Sequence, residues 1–326
     1  MATMSRRGFS GLAGATLLGG AAPGPVAAFC AGASSAVALA TASAAANAAA
    51  GNAAPDAAVL MRAIPGTGER LPAVGLGTAG VFDRDDASTR DAASAVLRAL
   101  LEHGGKLVDT ASSYGDAEQV LGTAMSAAGW RDRLFVATKV EALDDDELAR
   151  SLARLKTARV DLLQLHNVRD ADRSLARLRE WKAKGRCRYV GITSTYHRDF
   201  AAVESVLRRE KPDVVQIDYS LDDRIAEERI LPAAADVHAA VLTALPFGRG
   251  RLFRAVRGKA IPEWAREFAG SWSHFFLKYL LGDERVTAVI PGTSNPAHMA
   301  DNAGAMRGRL PDAGERRRMV SFIDAL

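Results

Sequence analysis

The chain has 326 residues, of which 42 are Lys or Arg and 38 are Asp or Glu, for a formal charge of +4. Two of those positive charges are Arg6 and Arg7 in an acid-free opening of forty residues, so the remainder is near balance and offers no electrostatic footing for nucleic acid or an anionic membrane. No uninterrupted apolar stretch is long enough for a membrane-spanning helix in the mature chain, and with only Cys30 and Cys187 no internal disulfide survives removal of the opening segment.

Residues 1–40 begin with "SRRGFSG", paired arginines before a mildly apolar Gly- and Ala-rich run, followed by small-x-small cleavage options such as Ala38-Leu39-Ala40. This order resembles a twin-arginine (Tat) signal, which implies the Tat export machinery as a partner and a periplasmic protein. The competing expectation is a cytoplasmic chain with an Ala-rich tail. A lipoprotein reading of Cys30 is weaker, because Phe29 stands where a small residue is wanted. Residues 41–58 are mostly Ala and read as a linker, leaving residues 59–326 as the folded domain.

In chain order, "MRAIPGTGERLPAV" predicts a small hairpin turning at Pro65-Gly66. Eight β-branched or Leu-rich runs follow: "LPAVGLGT" from Leu71, "KLVDTA" from Lys106, "RLFVATKV" from Arg133, "VDLLQLHN" from Val160, "RYVGITST" from Arg188, "DVVQIDYS" from Asp213, "AVLTALPFG" from Ala240 and "VTAVIPGT" from Val286. Amphipathic stretches such as "DAASAVLRALLEHGG", with a Gly stop, lie between them. Eight strand and helix units without a long polar linker predict one α/β domain, a (β/α)8 TIM barrel, over an open doubly wound sheet. "GLGTAG" from Gly75 matches a G-x-G-x-x-G dinucleotide fingerprint. Helical spacing resumes only after "VFDRDD", however, whereas that motif needs a helix to begin inside it.

In such a barrel, chemistry collects where strands end at their C-terminal side. Asp109 ends the second strand with Tyr114 just beyond it, Lys139 ends the third, His166 ends the fourth, and Gln216 lies on the sixth. Singly, each has an ordinary reading: an Asx turn, a turn aromatic, a rim charge, a hydrogen-bonded core histidine. Together they make a site in which an ammonium stabilises a phenolate, so that Tyr114 donates a proton to an oxygen where negative charge develops. The other histidines fall in helical or linking segments without metal-ligand spacing, so no metal is expected.

"DTASSYGDAEQVLG", "ATKV" and "DLLQLHN" together resemble the aldo-keto reductase superfamily from about Met61 onward. The resemblance implies a (β/α)8 barrel that transfers hydride between a nicotinamide cofactor (NADP or NAD) and a small carbonyl or alcohol substrate. It also implies a catalytic tetrad of Asp109, Tyr114, Lys139 and His166, and a chain that works as a monomer. It places Thr193, Ser194 and Gln216 at the nicotinamide carboxamide and Asn302 near the adenine. Independently of the resemblance, the loop holding Gly248, Arg249 and Gly250 and the loop holding Gly292, Thr293, Ser294 and Asn295 are suited to phosphate, the second leading into a helix N-terminus.

Three departures stand out. Ala244 occupies a position where the family often stacks an aromatic on the nicotinamide. Gly292 and His298 stand where members preferring NADPH often carry Lys and Arg. A noncatalytic nicotinamide-binding module, and a phosphate-handling barrel lyase or isomerase, are the competing functions. The outer pocket wall is expected from residues such as Phe82, Trp264 or Trp272.

Overall fold

Alternation along the strands decides what faces the inside of this molecule. The structure, a computed structural model, describes residues 58–167 and 171–326. The expected export signal, Cys30 and all of the linker but Ala58 lie outside them. An antiparallel hairpin, β1 (Met61–Ala63) and β2 (Arg70–Pro72), opens the fold, with Met61 opposite Pro72 and a turn closed by the amides of Thr67 and Gly68 on Ile64 O.

Eight parallel strands follow: β3 (Leu76–Gly77), β4 (Leu107–Asp109), β5 (Phe135–Val140), β6 (Val160–Leu165), β7 (Cys187–Ser194), β8 (Val214–Asp218), β9 (Ala240–Ala244) and β10 (Ala288–Val289). Parallel bridges from Val74 to Val289 and from Gly77 to Gly292 join the first strand to the last, closing a (β/α)8 barrel. The long run expected from Leu71 divides between the hairpin and a short β3, because Arg70–Pro72 pairs with β1.

Side chains of even and odd positions separate into two cores, as a strand with two buried faces requires. Leu107, Phe135, Ala137, Leu162, Tyr189, Val214 and Leu242 point into the barrel, with Ile64 and Leu71 of the hairpin in the same cluster. Their neighbours Val108, Val136, Leu163, Val190, Val215 and Val241 pack outward against the helices. Burying each such Leu or Val stabilises the fold by about 1.5–3 kcal/mol. Carried one step further along each strand, the inward parity falls on Asp109, Lys139, Gln164, Thr193, Gln216 and Ala244. The polar residues therefore gather in one layer at the C-terminal end, over an apolar base.

Helices α1 (Ala87–Glu102), α2 (Ala117–Ala128), α3 (Asp145–Arg154), α4 (Ala171–Ala183), α5 (Phe200–Glu210) and α6 (Ala226–Asp236) follow the first six barrel strands in turn. A short α7 (Arg251–Ala255) and α8 (Trp272–Leu281) follow β9, and α9 (Pro296–Gly304) and α10 (Ala313–Asp324) complete the chain. Asp86 caps α1 by accepting from the Thr89 amide at 2.8 Å, and Gly104 at φ +88° follows its last turn.

The glycines of "GLGTAG" serve barrel closure rather than a phosphate. A Cβ on Gly77 would come within 2.8 Å of Ile290 O, and α1 starts only at Ala87, well past the motif. Among the described residues no helix is long and apolar enough to cross a membrane. The Cys187 thiol is free, and burial pushes it up to about 12, which keeps it protonated and inert.

Candidate active site

Strand register brings the polar layer together. Lys139 Nζ donates to Asp109 Oδ2 at 2.6 Å and to Thr110 O at 2.8 Å, with the Lys139 side chain 1% exposed and that of Asp109 3%. Asp109 also accepts from Gln164 Nε2 at 3.3 Å and from Gln216 Nε2 at 3.2 Å, and Gln164 donates to Gln216 Oε1 at 2.9 Å. A buried ion pair is held only when its spare lone pairs are satisfied, and the two glutamines do that here. Burial pulls the Lys139 ammonium down, but Asp109 and Tyr114 outweigh it and leave its pKa above the ordinary lysine value.

Tyr114 sits in the turn between β4 and α2, its amide bonded to Ala111 O at 3.2 Å. Gly115 makes that turn possible: its φ is +51°, and a Cβ there would lie 2.5 Å from Asp83 O. The turn places the Tyr114 ring 4.8 Å from Lys139 Nζ, measured to the ring centre, and 5.6 Å from the His166 ring, edge-on. The helix behind the turn is tied down through buried Glu118, which accepts from Thr138 Oγ1 at 2.6 Å, from Ser151 and from Arg154 Nη2 at 2.7 Å. Burial raises the Tyr114 phenol above its usual value, with Asp109 adding to the rise and Lys139 opposing it. The expectation that Lys139 brings the phenol down therefore needs correction. Lys139 does pull the phenol down, but desolvation of the phenolate, with Asp109 beside it, prevails.

His166 follows β6 and is half-buried. Its Nδ1 lies 2.9 Å from Glu141 Oε1 and 3.2 Å from Ser113 Oγ. Burial lowers its pKa, and the Lys139 charge lowers it further against the opposing pull of Glu141, so the ring is neutral at neutral pH.

Asp109, Tyr114, Lys139 and His166 line a cavity of about 630 Å³ at the open end of the barrel. Of the residues expected at a cofactor, Thr193, Gln216, Arg249, Gly250 and Gly292 line it as well. Ser194 does not. Its parity on β7 turns it outward, where its hydroxyl donates to Asp199 Oδ2 at 3.0 Å and accepts from the Tyr196 amide. Gly248 lies behind the wall at φ +54°, where a Cβ would meet the Asp222 carboxylate at 2.5 Å.

The loop after β10 is organised around Thr293, whose Oγ1 accepts from the Asn295 amide at 3.1 Å, and Asn295 caps α9 through the Ala297 amide at 2.9 Å. Ser294 and His298 are exposed there and Asn302 is buried on α9, all outside the cavity lining. Gln216 lines the cavity, yet its amide is also engaged with Asp109 and Gln164.

The outer wall differs from expectation. Phe82 is wholly buried in the outer core, where Trp264 and Trp272 pack with Phe268, Phe275 and Phe276. Tyr196, Phe247 and Phe253 form the wall instead, with Ala244 beneath them. Sequence reasoning missed Gln164, Glu141 and Tyr196. Gln164 could have been found, since it has the inward parity of Leu162 in an otherwise apolar strand, whereas Glu141 and Tyr196 lie in loops that carry no such signal.

Beside the cavity, His197 from the turn before α5 and Asp218 and Asp223 from the end of β8 and its following loop bring one ligand atom each to within 4.8 Å of one another. His197 Nε2 pairs with Asp223 Oδ2 at 3.0 Å. Burial and the neighbouring Asp223 push the Asp218 carboxyl up to about 6.

Residues 73–314 match the pattern of the Aldo/keto reductase family. The chain belongs to that family. Among its relatives, methylglyoxal reductase YeaE of Escherichia coli is 30% identical over 257 residues, covering 74% of this chain and 88% of that protein. L-galactose dehydrogenase of Arabidopsis thaliana is 24% identical over 82% of this chain and 93% of its own length. The crystal structure of an aldo/keto reductase from Klebsiella pneumoniae in complex with NADP and acetate superposes with a TM-score of 0.71 at 26% identity, over 81% of this chain and 96% of that one. The family's fold thus accounts for the closed barrel and for the site at its C-terminal mouth.

Proposed function

We propose that this aldo-keto reductase is a nicotinamide-dependent oxidoreductase that reduces a small carbonyl, with Tyr114 as the proton donor. The observation that carries the reading is the convergence of a phenol, a buried ammonium paired to a carboxylate, and an imidazole on one cavity. The residues present fit a dinucleotide. Leu245, Pro246, Phe247, Phe253 and Ile290 offer an apolar and aromatic wall for rings, Arg249 offers a cation for phosphate, and about 630 Å³ is within the usual size of a cofactor site. When bound, the cofactor supplies the hydride that the protein itself lacks.

The chain's own residues handle the proton. Because its pKa is raised, Tyr114 stays a phenol across neutral pH and donates to the substrate oxygen as charge develops there. Lys139 stabilises the phenolate left behind, and Asp109, braced by Gln164 and Gln216, keeps Lys139 charged and aimed. His166, its ring 5.6 Å from that of Tyr114 on the same cavity, is placed to hydrogen-bond the same oxygen. The phenol state favours reduction, and alcohol oxidation should quicken as pH rises towards the Tyr114 ionisation. Tyr114→Phe should lower kcat/KM for carbonyl reduction by about 10²–10⁴-fold with folding intact. Undiminished turnover in that variant would remove Tyr114 from the mechanism and revive a binding module or a nicotinamide-free barrel enzyme.

Neither Gly292 nor His298 provides the fixed cation that a 2′-phosphate attracts, so NADH is accepted alongside NADPH in this reading. The ratio of KM values for the two dinucleotides measures it, and a large preference for NADPH would contradict it. "SRRGF" ahead of a dinucleotide-binding barrel further supports export by the Tat route with the cofactor already bound. Denaturing periplasmic protein and assaying the released dinucleotide tests this, and folded protein that releases none argues against loaded export.

A further inference from the structure

Glu141 stands two residues beyond Lys139, and its side chain, half exposed, reaches the back of the His166 ring. Its backbone is held independently of that contact. Glu147 accepts from the amides of Glu141, Ala142 and Leu143 and from Ser112 Oγ, which joins the loop after β5 to the tyrosine turn.

An ionised carboxylate can only accept, so the 2.9 Å approach of Glu141 Oε1 requires the proton of a neutral His166 to sit on Nδ1. Ser113 Oγ, at 3.2 Å from the same nitrogen, is compatible with that assignment, since a hydroxyl can share the proton as acceptor. Nε2 has no hydrogen-bond partner among the described residues, and the ring lines the cavity, so Nε2 is the nitrogen left for a substrate oxygen.

We infer that Glu141 is a positioning residue that sets the His166 tautomer, so that the neutral ring presents a hydrogen-bond acceptor, and only the imidazolium presents a donor, to the substrate oxygen. This rests on the reductase reading and adds a direction to it. A carbonyl oxygen has no hydrogen to give a bare Nε2, so it is best received when the ring is protonated, while an alcohol O–H suits the neutral ring. The titratable groups facing His166 are Lys139 and Glu141 from β5 and its loop, Asp109 from β4 and, by its ring contact, Tyr114 from the tyrosine turn. Of these only Glu141 touches Nδ1. The reducing limb should therefore rise as pH falls through the His166 ionisation, with the oxidising limb favoured above it. No covalent step is added, because the proton transferred still comes from Tyr114.

The test is Glu141→Gln in the full-length protein. Its amide can donate to Nδ1, releasing the proton to Nε2, and it no longer supports the imidazolium. The acid limb of kcat/KM for carbonyl reduction should flatten, and the His166 ionisation should move to lower pH by about half a unit or more, the smaller end of a charge-partner effect because the pair is partly in water. Ring nitrogen NMR of the substrate-free protein reads the tautomer without any turnover: Nδ1–H in the parent, a shift toward Nε2–H in the variant. A parent that shows Nε2–H, or a variant with unchanged tautomer and unchanged pH profile, overturns the inference. Failure of the reductase reading would show instead as turnover surviving Tyr114→Phe, and the tautomer measurement would stand apart from it.

Discussion

The two ends of this barrel treat charge in opposite ways. At the mouth, Lys139 and Asp109 are shut away from solvent, Tyr114 and His166 are shifted in pKa by burial, and the group faces a cavity. At the closed end, Arg188 links Glu69 and Asp161 at 2.9 Å each and Arg131 reaches Asp161 at 3.1 Å, all partly in water. Burial raises the Glu69 carboxyl, but Arg188 and Tyr189 outweigh it, so Glu69 lies below the usual carboxylate range. Burying a charge is costly and makes its proton affinity sensitive to neighbours, which suits catalysis. Pairing charges at the surface is cheap and nearly insensitive, which suits the seam between hairpin and barrel.

The sharpest way to break that contrast is Lys139→Met. It leaves Asp109 buried without its cation, so it should destabilise the fold by about 3–5 kcal/mol as well as abolish reduction. Urea unfolding beside turnover reads both, and a fully stable variant would show that the buried pair costs less than its burial suggests. At the other end, Arg188→Ala should cost about 1–2 kcal/mol, through two ion pairs and packing over Phe135 and Tyr189, and leave kcat and KM unchanged. Its stability loss should shrink in high salt, and a change in kcat would mean the closed end communicates with the mouth.

The smallest effect returns to the rim, at Asp218. Its folded pKa, about 6, exceeds the ordinary value of 3.8, so the folded state holds the proton more tightly and stability falls as pH rises between those values. Asp218→Asn removes that cost. With allowance for the solvent that reaches the carboxyl, the gain should be at most about 1 kcal/mol at about pH 7.5 and vanish at about pH 4. Thermal melts at the two pH values read it, and a gain of equal size at both would mean the charge is not its source.

Much of this site was legible in sequence, and the limits are instructive. Asp109, Lys139 and His166 could be found because each ends an apolar run at a β/α junction, and Gln164 was equally readable from its parity with Leu162. Ser194 shows the opposite case. Adjacent polar residues at a strand end look equivalent in sequence, yet a period of two sends Thr193 to the cavity and Ser194 to Asp199. Phe82 was misplaced because an aromatic in a loop of unknown path carries no direction. The contact on His166 Nδ1 depended on Glu141, a loop residue with no sequence signal.

By itself the sequence determined the alternation of strands and helices and the inward parity that stacks polar groups above an apolar base, and it offered candidates for proton handling at the strand ends, because these follow from local periodicity and chemistry. Only the tertiary structure decided that Tyr114 is raised rather than lowered, that Tyr196 and Phe247 replace Phe82 and the tryptophans as the wall, and that His197 meets Asp218 and Asp223. Those outcomes depend on distances between segments far apart in the chain and on how much water each group loses. Neither is encoded in any one segment.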